Sequence, residues 1–127
     1  RPVQPALENT AWRILRLDGA GGEAAAPDPA QGRQEPHLRL RHLDGKRELS
    51  ATVGCNSFAG SYAIEGQRIS IGPLAATMMA CPAPLDAQER ALADALDAAA
   101  QWVIIGDRLE LRDDAGARLA VLEAVYY

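Results

Sequence analysis

The feature that most constrains this chain is a succession of short segments in which apolar and polar residues alternate, most of them closed by a glycine-bearing turn. The clearest follows Asp44-Gly45, a dipeptide suited to a two-residue hairpin turn. There Leu49, Ala51 and Val53 alternate with Glu48, Ser50 and Thr52. A period of two sends one set to a buried face and the other to solvent. Before that turn Leu38 and Leu40 alternate with Arg39 and Arg41; after it Gly54 to Gly60 reads as a turn-rich corner, Tyr62 and Ile64 share a face, Gly66 turns the chain, and Ile69 and Ile71 share another. Trp102 to Ile105 is apolar on both faces, Gly106-Asp107 turns into Leu109 and Leu111, and Asp113-Asp114-Ala115-Gly116 turns into Leu119 and Val121. At the start, Thr10 to Leu17 has Trp12 and Ile14 on one face and Leu15 and Leu17 on the other, which predicts a bulge or two-sided burial.

Between the fifth and sixth of these eight strands lies one helix, Asp86 to Ala100. Leu85, Leu92, Leu96 and Ala99 fall on one stripe, and Asp86 with Glu89 has the spacing of a capping box. The expectation is a mainly β fold with one α-helix: a small antiparallel eight-stranded barrel, because closing such a sheet removes its edges. Its predicted interior is Trp12, Leu49, Val53, Tyr62, Ile69, Leu92, Leu96, Trp102, Ile104, Leu109, Leu111 and Leu119.

A chain of 127 residues holds one such domain. Residues 1–6 read as a tether and 7–127 as the domain, with a flexible Gly/Ala/Pro loop at 18–34, which has little apolar area to offset its ordering entropy. The chain opens on Arg1, as a mature protein or a fragment would. Arg1-Pro2-Val3-Gln4-Pro5 points back to a lipid anchor or an upstream domain, so membrane attachment is expected only through an anchor outside this chain. Net charge is -4 with both signs interspersed, which argues against a nucleic-acid partner. No apolar run approaches the roughly 18 residues of a membrane span.

The chemistry-bearing motifs are sparse. Gly19, Gly21 and Ala24 give a nominal Gly-x-Gly-x-x-Ala, but Pro27 and Pro29 argue against the helix that a dinucleotide fingerprint requires. There is no Gly-x-Ser-x-Gly elbow. Asp113 and Asp114 belong to a turn that wants Asp for backbone hydrogen bonding. A zinc site built on Cys55 and Cys81 would need His37 and His42, which an odd spacing sends to opposite faces of a strand. No metal, no cofactor and no catalytic residue is therefore expected. The two cysteines, Cys55 and Cys81, would be inert thiols in a reducing compartment and a single disulfide in an oxidising one. The proline tether and the missing initiator Met favour the disulfide, which would remove about 3–3.5 kcal/mol of unfolded-chain entropy.

The two cysteine segments carry a resemblance. Gly54-Cys55-Asn56, Gly60-x-Tyr62, Gly66, Gly72-Pro73 and Thr77-x-Met79-Ala80-Cys81-Pro82 resemble the META domain family, also called HslJ-like. Glu89 with Leu96, Gly106-Asp107-x-Leu109-x-Leu111, Trp12 and Gly116 extend the match over roughly residues 7 to 124; the long loop at 18–34 departs from it. The resemblance implies a compact β-barrel-like domain with a helix, usually in bacterial envelope proteins of the periplasm or outer membrane, many of them lipoproteins and stress-associated. It brings no catalytic residues. Two functions stay open: a non-enzymatic module binding an envelope protein, or a small barrel carrying an apolar ligand or lipid. A filled interior would favour the first and an open apolar cavity the second. The candidate binding surface is the corner of Asn56, Ser57, Thr77 and Met78, although Asn56 also suits a strained corner, Thr77 can bond nearby backbone, and the cysteines can act as a staple.

Overall fold

The computed structural model of the chain describes residues 4–18, 24–25 and 35–125. Its strands in chain order are β1 (Ala11–Asp18), β2 (Ala24–Ala25), β3 (His37–Leu43), β4 (Lys46–Thr52), β5 (Ser57–Glu65), β6 (Arg68–Ile71) and β7 (Ala75–Ala76). After the helix α1 (Leu85–Ala98) come β8 (Gln101–Ile105), β9 (Arg108–Arg112) and β10 (Arg118–Val125). Eight of the strands have four residues or more, and all pairings are antiparallel. They follow the order β10-β9-β8-β6-β5-β4-β3-β1, and β1 pairs with β10 to close the ring. This is the expected eight-stranded barrel, with α1 between the fifth and sixth long strands. The two-residue strands β2 and β7 pair with β1 and β5 respectively. Most of the predicted loop at 18–34, including Gly19, Gly21, Pro27 and Pro29, lies outside the described residues, as do residues 1–3 of the predicted tether. No helix among the described residues is long and apolar enough to cross a membrane.

The turn chemistry accounts for the hairpins. Asp44 and Gly45 have φ of 53° and 77°, as a tight turn between β3 and β4 demands. Asp113 accepts hydrogen bonds at Oδ1 from the Ala115 and Ala117 amides, at 2.9 and 2.8 Å, so it serves the β9–β10 turn. Gly60 has a packing reason instead: a Cβ there would lie 2.8 Å from both the Pro73 carbonyl oxygen and Leu74 Cδ2.

The mixed faces of β1 resolve as a bulge. The register with β10 slips between Ile14 and Arg16, leaving Leu15 as the extra residue. Trp12, Ile14 and Leu17 can then all point inward, and each is at most 3% exposed. The same device corrects one core expectation. A second slip between Arg118 and Ala120 leaves Leu119 only half-buried, whereas Ala120 and Leu122 enter the core. Trp102 and Ile104 are likewise half-buried, because β8 meets β6 through the single pair Arg68↔Gln101. Trp102 instead donates its indole N–H to the Gly66 carbonyl, 3.1 Å away. The other nine predicted interior residues are buried, joined by Leu38, Leu40, Leu85 and Ala95.

Two expectations about local structure are corrected. The turn-rich corner predicted for Gly54 to Gly60 ends sooner: β5 already begins at Ser57, where Ala51↔Phe58 and Thr52↔Ser57 continue the β4 ladder. The capping box is absent. The helix begins at Leu85 after Pro84, with no side-chain cap. Asp86 therefore lies within the first turn, where its Oδ1 accepts from the adjacent Ala87 amide at 2.8 Å. Glu89 is drawn elsewhere.

Candidate functional site: the stapled corner

Four pieces of chain meet at the corner between β4 and β5. The β4 end supplies Thr52, which is 1% exposed although strand alternation assigns it to solvent. Its hydroxyl donates to the Asn56 carbonyl at 2.8 Å and accepts from the Gly54 amide at 2.9 Å, folding the bend back on itself. Gly54 takes a φ of 121°, a region that side chains disfavour. The bend delivers Cys55 to Cys81, and the two form a disulfide across 26 positions with Cα atoms 6.2 Å apart.

Asn56 is the centre of this corner. It is 5% exposed, and its carboxamide is fully used. Oδ1 accepts from the Met79 amide at 2.7 Å and from the Thr77 hydroxyl at 2.9 Å. Nδ2 donates to the Met79 carbonyl at 2.9 Å and to Glu89 Oε1 at 2.9 Å. The Asn56 backbone amide reaches the other carboxylate oxygen, Glu89 Oε2, at 2.8 Å. One amide side chain thus pairs with the backbone of Met79 as a strand would, while α1 is tied to the same residue through Glu89. Thr77 completes the arrangement: its Oγ1 accepts from the Ser57 amide at 3.0 Å, and its own amide donates to the Ser57 carbonyl at 3.1 Å.

The structure therefore separates the residues that the sequence grouped as a surface. Asn56 is a buried fastening and is not available to a partner. Ser57 and Thr77 lie at the exposed rim, and Met78 is 92% exposed, with Met79 at 39% beside it. Glu89 was missed as a member of the corner. Its spacing from Asp86 favours a cap, and only the three-dimensional approach of α1 to Asn56 shows its role. Glu89 also brings an oxygen into reach of the sulfurs: one donor atom each from Cys55, Cys81 and Glu89 lies within 4.8 Å of the others.

A second polar cluster involves the first described residues. Glu8 Oε2 accepts from the Tyr62 hydroxyl at 2.6 Å and from Arg47 Nε at 2.9 Å, with His42 Nδ1 3.8 Å from Oε1. Burial alone would raise the Glu8 pKa, but the hydrogen bonds from Tyr62 and Arg47 and the positive charges of Arg47 and His42 outweigh it, so Glu8 lies below the ordinary carboxylate value. Tyr62, partly desolvated and donating to a carboxylate, is pushed far above the ordinary phenol value. This group holds the segment ahead of β1 in place, together with Trp12 Nε1, which donates to the Leu7 carbonyl at 3.0 Å. His37 and His42 are not brought to the cysteines: His37 sits by the Glu35 carbonyl and His42 by Glu8.

A closed antiparallel barrel of eight strands, with one inserted helix fastened to a disulfide-tied corner, defines a class of small β-barrel domains. Within that class a family model described as the META domain matches residues 5–126. The chain belongs to the META domain family. It is similar to a solved structure described as the NMR structure of the protein from Burkholderia xenovorans, with 28% identity and a TM-score of 0.77, covering 100% of this chain and 95% of that one. A second NMR structure shares the fold at 19% identity and a TM-score of 0.63, covering 92% of this chain and 90% of the other. No curated protein matches the chain.

Proposed function

We propose that this META domain is a non-enzymatic module of the bacterial cell envelope that binds a protein partner through its stapled corner. The disulfide suits an oxidising compartment, and the periplasm or an outer-membrane lipoprotein is the setting that the family resemblance implies, as is a stress-associated role. The observation that carries the binding reading is Met78. It is an unbranched apolar side chain held 92% exposed on a segment whose neighbours are fixed by Asn56, by Thr77 and by the Cys55–Cys81 bond. Methionine offers an adaptable apolar contact, and a segment ordered in advance loses less entropy when it docks. The ligand-carrier alternative finds less support, because the barrel axis is occupied by Trp12, Leu38, Leu40, Leu49, Leu109 and Leu111, each at most 2% exposed.

The test is a photo-crosslinking residue placed at Met78 and, as a control, at Leu43, which is also exposed on a hairpin. Irradiation of living cells should give a discrete protein adduct from position 78 and none from position 43. Equal yields from both positions, or no adduct at 78 with normally folded protein, would refute the proposal.

A further inference from the structure

The geometry points to a second state of the same corner: with the disulfide reduced, Cys55, Cys81 and Glu89 form a three-ligand site for a zinc-class divalent ion. Two thiolates and a carboxylate are a donor set that zinc accepts in tetrahedral geometry, leaving a fourth position for water. Sulfur ligation disfavours the hard cations magnesium and calcium. The three donors already converge. Glu89 Oε2 is 3.4 Å from Cys81 Sγ, and all three donor atoms lie within 4.8 Å of one another. In a tetrahedral site two zinc-bound sulfurs sit about 3.8 Å apart. Side-chain rotation on Cα atoms 6.2 Å apart reaches that span with the backbone in place.

The carboxylate is also held for the task. Both of its oxygens accept from Asn56, one from the backbone amide and one from Nδ2, which fixes the carboxyl plane while leaving lone pairs free. The same Nδ2 lies 3.3 Å from Cys81 Sγ, where one of its two engaged N–H groups can be shared with a thiolate. Outer contacts of this kind orient metal ligands and moderate their charge. Asn56, which is merely structural in the oxidised state, becomes the positioning residue of the reduced one. The sequence hides this site because it supplies no histidine at metal spacing; the third ligand comes from a helix eight residues beyond Cys81.

The exchange balances. An external dithiol breaks the Sγ–Sγ bond and becomes a disulfide itself, and its two electrons and two protons leave Cys55 and Cys81 as thiols. Metal uptake then releases those two protons. Exchange with an external disulfide re-forms the Sγ–Sγ bond, passes the two electrons to that disulfide as two thiolates and expels the ion, so the corner stays tied in both states, by a covalent bond in one and by a metal in the other.

The experiment reduces the full chain with a phosphine under anaerobic conditions, confirms folding by circular dichroism, and titrates zinc against a chromophoric chelator. The reduced protein should bind one zinc ion at micromolar or tighter affinity, and the oxidised protein none. Bound zinc should shield both thiols from alkylation, and X-ray absorption should show two sulfur neighbours with oxygen completing the shell. Glu89→Gln should weaken binding at least tenfold. Absence of zinc binding, equal binding by Glu89→Gln, or four sulfurs per zinc from two chains sharing one ion would each overturn the assignment. So would a reduced chain that stays unfolded with zinc present. Should Glu89→Gln itself fail to fold, the sulfur and oxygen count on the unaltered protein decides.

Discussion

Replacing Asn56 with alanine is the most direct probe of the corner. The substitution removes two donors and two acceptor contacts from a site 5% exposed, taking the Asn56 contacts away from the Met79 amide and carbonyl, the Thr77 hydroxyl and Glu89 Oε1. Three neutral hydrogen bonds at about 1 kcal/mol each and a charged one at about 2 kcal/mol set an upper figure of about 5 kcal/mol. Thr77 and Met79 lie beside solvent, so water recovers part of that, and we expect a loss of about 3 kcal/mol with the disulfide intact. Urea unfolding followed by tryptophan fluorescence, on non-reduced protein at pH 7, measures it through the shift in midpoint at constant slope. Asn56→Asp sharpens the test. A carboxylate facing Glu89 at 2.9 Å repels it and cannot donate to the Met79 carbonyl, so this variant should be less stable at pH 7 than Asn56→Ala. If Asn56→Ala lies within about 0.5 kcal/mol of the parent, the hydrogen-bond accounting is wrong and the corner is held by the disulfide alone.

Two further outcomes follow from the packing and the charges. Leu96, 1% exposed on α1, should cost about 3 kcal/mol when cut to alanine, read by the same urea titration. Glu8 lies below its ordinary value of 4.5 in the folded protein, so its contribution is complete above that pH and is lost as the pH falls through the lower folded value. Tyr62→Phe removes one of the bonds responsible; it should therefore be less stable than the parent at pH 7, with the gap narrowing between pH 5 and pH 3 in urea unfolding.

Much of the barrel is legible in the sequence because period-two patterning and glycine turns are local signals. Leu49 and Val53, or Leu109 and Leu111, announce their face without knowledge of any partner. What escapes depends on partners distant in the chain. Leu119 is displaced by a register slip against β9, and Trp102 loses burial because β6 and β8 share so short a seam. At the corner, Cys55, Asn56, Thr77 and Cys81 stand out as a group only through the resemblance to the META domain family. The division of labour among them does not: burial turns Asn56 inward and leaves Met78 outside. Glu89 is the instructive miss, since a glutamate three residues after an aspartate at a helix start has an adequate local explanation that the arrival of Asn56 overrides.

The ring is sealed by its first and last long strands, β1 and β10. A ribosome-bound chain that has extruded everything up to β9 still has β1 open along the side that β10 will occupy, and β9 open along the other. Those two edges are separated by almost the entire sequence, so the decisive contact is also the least local one and carries the largest loop-closure cost. Within the domain, the last strand to be synthesised is therefore the one on which closure depends. Removing Arg118–Val125 would not trim a margin but would leave a curled sheet with two adhesive borders. Conversely, the neighbouring positions of the two terminal strands make the domain a natural candidate for circular permutation, with the old ends joined by a short linker and new ones opened at an exposed hairpin such as Asp44-Gly45.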